Sequence, residues 1–290
     1  MPAVAAVNVG RALNGWTVAK AAIRLGHVSV DLSQPQAILI DLDGTLDHEG
    51  HALPGAVELV SRLCRRGQRY ACLSNSAASP ARIAHRLARM GMKVDEPHIY
   101  SAAAAVVDHV LERYGPRPRL LNVASEDIDQ MLDGRAQWVS GQDEPCDAVI
   151  VGPLAAVHAT DQRQRLGVAL LRRGAALVAT CADRVWPSPR GVEIGAGAHG
   201  AMLGYAANVA PVYCGNPEAS FFIRLCQRLG VEPRQCLLIG DNLESDIAGA
   251  KRLGMRAILT LTGVARRRDL AAVSPEVAPD CVVDDLTELL

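Results

Sequence analysis

Two acidic stretches carry residue types and spacings that could do chemistry together. Asp41-Leu42-Asp43-Gly44-Thr45 places two carboxylates two residues apart at the end of the apolar run Ala37 to Leu42. Gly240-Asp241-Asn242 ends a second apolar run, and Asp246 follows five residues after Asp241. Asp41 and Asp241 offer hard oxygen ligands suited to Mg²⁺, which takes one or two protein carboxylates and keeps waters and a substrate phosphate. Asp41 can also attack phosphorus and form an aspartyl-phosphate. Asp43 can protonate a leaving oxygen and later activate water. Gly44 lets backbone N–H groups approach phosphoryl oxygens. A third apolar run ends in Ser74-Asn75, whose hydroxyl and amide can donate to the same oxygens. Any one of these acids alone reads as a turn or helix cap. D-x-D-G-T after one strand and G-D-x-x-x-x-D after another is far more specific than a lone Gly-rich loop.

These three segments must meet at one edge. Strand and helix patterns alternate along almost the whole chain. Strands are expected at 37–42, 70–73, 99–100, 120–123, 148–151, 176–179, 212–213, 237–239 and 257–261, with Val282-Val283 as a final edge strand. Helices are expected at 55–66, 80–90, 102–113, 126–132, 161–173, 219–229 and 243–253. A loop is expected around Pro187, Pro189 and Gly191, and the small-residue run Gly195 to Gly204 is expected to lead into a helix. Such alternation predicts the α/β class, with a doubly wound parallel sheet. In open sheets of this kind, ligands bind beyond the carboxyl ends of the strands. Residues 37–105 and 206–290 read as one core, and 106–205 as an α/β unit inserted into it. Residues 1–36 form an N-terminal extension. The first thirty residues lack acids and carry Arg11, Lys20 and Arg24, with Gly10, Gly15 and Gly26 interrupting any helix. A short docked helix or a loose tail fits that pattern better than a transit-like segment.

Composition narrows the partners. The chain has 290 residues, 49% of them hydrophobic and 21% charged, which is ordinary globular usage. A net charge of −1 gives no electrostatic case for nucleic acid or an anionic membrane. None of the eight cysteines forms a C-x-x-C pair, and several lie in apolar runs, so buried free thiols in a reducing, cytoplasmic compartment are expected. No apolar run has the length of a membrane span. Lysine is scarce: Lys20, Lys93 and Lys251 are the only three.

The stretches DLDGTLDHEGHALPGAVE, LSNSAASP, GAGAHGAML, GNPEASFF and GDNLESDIAGAKRLGMRAILTLTGV together resemble the haloacid dehalogenase superfamily of aspartyl-nucleophile phosphohydrolases. The chain most resembles the class IIA branch, which carries a large α/β cap between the second and third motifs. That branch includes nucleotide, phosphoglycolate and pyridoxal-phosphate phosphatases. The resemblance implies Asp41 as nucleophile, Asp43 as acid and base, and Ser74 as a phosphate binder. It implies Asp241 as a Mg²⁺ ligand beside Asp41 and the Asp43 backbone carbonyl, with Asp246 supporting the site. It also implies a small phosphorylated metabolite as substrate, of nucleotide, sugar, phosphoglycolate or pyridoxal-phosphate type, and a cap-mediated homodimer.

The sequence departs from the branch at its third motif, where Gly-Lys-Pro becomes Gly215-Asn216-Pro217. Asn216 can donate a hydrogen bond to phosphate but brings no charge. Losing one donor aimed at developing charge costs on the order of 10²–10³ in rate. A weakened member that binds a phospho-ligand or a partner is therefore the rival reading. Lys251, Arg224, Arg184 and Arg190 are the cations considered as substitutes. In the cap, Asp183, Arg184 and Trp186 are candidate substrate contacts, Arg184 for an anionic leaving group and Trp186 for a ring. His48 and His51 read as solvated loop residues, His199 as a helix-start residue and Arg266-Arg267-Arg268 as a charge run at a helix end. Carbon–halogen or phosphonate cleavage is disfavoured, because an acid at Asp43 suits an ester oxygen.

Overall fold

The structure, a computed structural model, describes residues 24–25, 31–188 and 191–290. Most of the N-terminal extension, and Pro189 and Arg190, lie outside the described residues.

The core is a seven-stranded parallel sheet. Its strands, from one edge to the other, are β1 (Arg24–Leu25), β16 (Cys281–Val283), β15 (Arg256–Thr260), β14 (Cys236–Gly240), β2 (Ala37–Asp41), β5 (Tyr70–Ser74) and β6 (Ile99–Ser101). Every residue of β2, β5 and β14 is buried, as expected for parallel strands covered on both faces. On one face, α1 (Ala56–Arg65) buries Leu59, Val60 and Leu63, and α2 (Pro80–Arg89) buries Ile83 and Leu87. Ser79 caps α2, its Oγ accepting from the Arg82 N–H, and Pro80 fills the first turn. On the other face lie α3 (Ala102–Tyr114), capped by Ser101, and α7 (Ala219–Leu229), which buries Phe221, Phe222, Leu225 and Cys226.

A second sheet of five parallel strands is inserted between β6 and α7. Its order is β13 (Pro211–Tyr213), β10 (Ala176–Ala179), β9 (Ala148–Val151), β7 (Arg119–Val123) and β8 (Gln137–Trp138). The helices α4 (Glu126–Met131), α5 (Asp161–Arg172) and α6 (Ala196–Ala207) accompany it. This unit is the cap.

Several expectations are corrected. Residues 211–213, assigned to the core from position 206 onward, pair with β10 because that strand would otherwise be an open edge. The cap sheet thus runs to Tyr213. The Gly195–Gly204 run does not lead into a helix but is most of α6 itself. Its small residues let the helix approach the sheet: a Cβ on Gly200 would stand 3.3 Å from the Ala179 side chain. The loop at 185–194 is a β-hairpin, β11 (Val185–Ser188) with β12 (Gly191–Ile194). The helix at 243–253 divides into a π turn, Leu243–Ile247, and α8 (Ala248–Arg252). β16 is not an edge strand, since β1 pairs outside it. A small hairpin, β3 (Asp47–His48) with β4 (His51–Ala52), follows the first acidic motif.

Candidate active site

Neighbouring parallel strands deliver the acidic motifs to one edge. Asp41 is the last residue of β2, Ser74 the last of β5, and Asp241 follows β14 directly. Carboxylate oxygens of Asp41, Asp241 and Asp246 lie within 4.8 Å of one another, and all three residues are buried. Among the described residues, no lysine, arginine or histidine forms an ion pair with any of the three. Burial, then repulsion from Asp246, Asp241 and Asp43, holds the Asp41 carboxyl well above the usual range. Burial and the neighbouring Asp241 push Asp246 up to about 8. Asp241 is raised to about 6, again chiefly by burial. Three buried carboxylates with no cation between them, and oxygen donors only, fit a hard divalent ion.

The backbone is shaped around Asp241. Its Oδ2 accepts from the Val264 N–H at 2.5 Å, and the Thr262 hydroxyl donates to the Gly44 carbonyl at 2.6 Å. Gly44 has φ +96°, and a Cβ there would stand 2.6 Å from Asp241 Oδ2. A Cβ on Gly263 would stand 1.8 Å from the same atom. The loop after β15 therefore closes tightly on Asp241.

Asp43 stands beside the trio, near enough for its charge to act on Asp41 and Asp241. Its side chain is 56% exposed and lies outside the acidic trio. Ser74 Oγ donates to Asp43 Oδ2 at 3.0 Å, and Arg86 Nη1 meets Oδ1 at 3.0 Å. Arg86 Nη2 also meets Asp47 Oδ1 at 3.2 Å. Asp47 is fully buried, and burial with the nearby Asp43 raises it to about 6. Sequence reasoning misses Asp47, Arg86, Thr262 and Gly263. Asp47 stands four residues past Asp43, and Arg86 lies on the helix after Ser74, but neither spacing by itself marks a site.

The expected phosphate donors are turned elsewhere. Asn75 Nδ2 donates to Asp183 Oδ2 at 3.0 Å and to the Asn216 carbonyl at 2.9 Å, so both its hydrogens are engaged. Asn216 Nδ2 donates to Asp246 Oδ1, while its Oδ1 is buried without a partner. Asp246, expected as a supporting residue, stands inside the acidic trio, where its Oδ2 also accepts from the Asn242 N–H at 3.0 Å. Asp183, expected to touch substrate, accepts from Asn75 and from the Cys181 thiol, and burial raises its carboxyl. Arg184 and Trp186 are exposed at the β11–β12 hairpin. None of the described substitutes stands in for the lysine: Lys251 pairs with Asp280 at 2.8 Å, and Arg224 with Glu112 at 2.5 Å. Arg190 lies outside the described residues. His48 and His51 are exposed on β3 and β4, and His199 is buried in α6 with Nδ1 on the Gly152 carbonyl.

The cap faces this edge. Asp127 of α4 accepts from Ser79 Oγ at 2.9 Å and pairs with Arg82, and Ser125 Oγ donates to the Ala77 carbonyl at 2.7 Å.

Comparison with known proteins gives this arrangement a family. A model of haloacid dehalogenase-like hydrolases matches residues 38–136, and a HAD-hydrolase-like model matches 213–289. Haloacid dehalogenase-like hydrolase domain-containing protein 2 of Bos taurus is 31% identical over 243 residues, which cover 83% of this chain and 89% of that protein. The chain belongs to the haloacid dehalogenase-like hydrolases. This hydrolase is also 28% identical to the 5′-nucleotidase YutF of Bacillus subtilis over 251 residues, covering 86% of this chain and 95% of the other. Its fold superposes on the glycerol phosphate phosphatase of Mycobacterium tuberculosis in complex with magnesium with a TM-score of 0.80. The identity there is 26%, covering 88% of this chain and 76% of that one. The gap between the two family matches holds most of the cap, as in the class IIA branch. Among the described residues, no helix is long and apolar enough to cross a membrane.

Proposed function

We propose that this hydrolase is a Mg²⁺-dependent phosphatase of small phosphorylated metabolites, acting through an aspartyl-phosphate on Asp41. The observation that carries the reading is the meeting of Asp41, Asp241 and Asp246 within 4.8 Å, with Asp43 and Ser74 beside them. Asp41 and Asp241, with the Asp43 carbonyl, would hold the ion. Bound there, Mg²⁺ would offset the crowded negative charge and that of the phosphoryl group. An Asp41 oxygen attacks phosphorus, and the bond to the ester oxygen breaks. Asp43 gives that oxygen a proton, then takes one from the water that hydrolyses the aspartyl-phosphate. Ser74, whose hydroxyl meets Asp43, would donate to the phosphoryl oxygens. The cap, packed on the strand edge, excludes water and selects the leaving group. The names of two relatives, a 5′-nucleotidase and a glycerol phosphate phosphatase, support a phosphomonoester of metabolite size. A cytoplasmic homodimer is part of the same proposal.

The test is Mg²⁺-dependent phosphate release from p-nitrophenyl phosphate, with Asp41→Asn as control. Turnover is expected to need both the ion and Asp41. Activity that survives Asp41→Asn would sink the nucleophile assignment. The hydrogen bond from Asn216 to Asp246 favours one rival: a slow member in which phospho-ligand binding outlasts turnover.

A further inference from the structure

Five carboxylates converge on this edge: Asp41, Asp43, Asp47, Asp241 and Asp246. Among the described residues, Arg86 is the one cation in ion-pair contact with any of them. It sits in the last turn of α2 and bridges two acids with the two ends of its fork. Nη1 takes Asp43 Oδ1 at 3.0 Å, and Nη2 takes Asp47 Oδ1 at 3.2 Å.

Asp47 has no part in the chemistry proposed above. It is nonetheless fully buried, with Oδ2 lacking any partner. A buried acid is costly unless it is paired. Its ion-pair partner is Arg86, and the pair pins the guanidinium in place. Asp43 is the opposite case: a short side chain on a turn, more than half exposed. Left alone it would sample several rotamers. Ser74 on one oxygen and Arg86 on the other hold it in a single orientation.

We infer that Arg86, braced by the buried Asp47, is a positioning residue that aims the Asp43 carboxyl at the leaving oxygen. The inference rests on the phosphatase reading above. It does not make Arg86 a replacement for the missing lysine, since its two contacts are with Asp43 and Asp47. A planar fork suits two carboxylates at once, whereas a lysine would hold only one firmly.

The test uses the full chain with Arg86→Gln and Arg86→Lys. Arg86→Gln combined with Asp47→Asn removes the buried charge, should the single variant fold poorly. Hydrolysis is compared on p-nitrophenyl phosphate, whose leaving group departs readily without a proton, and on glycerol phosphate, whose alkoxide needs one. Proton transfer by a positioned side chain contributes about 10²–10⁴-fold. Arg86→Gln is expected to lower kcat on the alkyl ester by about tenfold to a hundredfold, as part of that factor. The loss on the nitrophenyl ester should be clearly smaller, KM should be nearly unchanged, and Arg86→Lys should recover part of the loss. An equal loss on both esters, or none, overturns the inference. A crystal structure of Arg86→Gln reads the same point without turnover: Asp43 is expected to leave Ser74, and retention of that contact overturns the inference. A wild-type chain inactive on both esters would instead refute the phosphatase reading, and the crystal structure would still decide the role of Arg86.

Discussion

Asn216 Nδ2 donates to Asp246 Oδ1 at 2.5 Å, so the residue in the place of the family's lysine is fastened to a carboxylate. It satisfies one acid and neutralises none. Asp246, pushed up to about 8 by burial and by Asp241, sits in the region of charge that the substitution leaves uncompensated.

Asn216→Lys should therefore raise turnover. Restoring a charged donor to a site of developing charge is worth on the order of 10²–10³ in favourable cases, and about tenfold or more is expected here. Steady-state kcat for p-nitrophenyl phosphate checks this. Space for the longer side chain is tight near Gly249, where even an added Cβ would stand 3.3 Å from Asn216 Oδ1. An unchanged kcat in a well-folded variant would mean that the site runs without that charge.

The metal-free protein should lose stability as pH rises. Asp241 and Asp47 are raised to about 6 and Asp246 to about 8, with burial the first cause in each. Unfolded carboxyls ionise near about 4. Between about 4 and 8 the folded chain then binds more protons than the unfolded one, so stability falls as pH rises through that window. Tm measured in chelator should decline from about pH 5 to about pH 8. Added Mg²⁺ should raise Tm more at the upper end of that range than at the lower; at about a hundred times its Kd it would contribute about 2.7 kcal/mol. The reverse order would count against the acidic trio as the metal site.

Gly263→Ala should damage ion binding more than folding. The added methyl would lie 1.8 Å from Asp241 Oδ2, so that carboxylate must move. Mg²⁺ affinity by titration calorimetry is expected to fall by about tenfold or more, as changes around metal ligands do.

Asp183→Ala should loosen the cap. It leaves one Asn75 N–H without its acceptor at the point where cap and core meet. Asn75 is half-buried, so the lost hydrogen bond is expected to cost about 0.5–1.5 kcal/mol. Limited proteolysis should quicken in the segments joining the two sheets. If KM and proteolysis rates both stay unchanged, the contact is incidental.

Most of the fold and the acids of the site are legible in the sequence. The strands carrying Asp41, Ser74 and Asp241 stand out as short apolar runs ending in polar residues, because both faces of the sheet are covered. What escapes is partnership at a distance. Arg86 looks like any solvated helix residue, and Asp47 like any turn acid, until folding puts them 3.2 Å apart. The hairpins at 47–52 and 185–194 escape because strands of two to four residues give no readable period. The cap's last strand falls in the wrong unit because its pairing with β10 bridges 34 residues of chain, from Leu177 to Pro211.

A single apolar cluster runs from Leu39 and Phe221 in the core, through Ala104 and Val107 of α3, to Leu120, Ile150 and Val178 in the cap. Swinging the cap away would wet part of that cluster. Opening should then raise the heat capacity, and a phosphate mimic that favours closure should bind with a negative heat-capacity change. Calorimetry across temperature would thus register the seam between cap and core even where the two positions look alike.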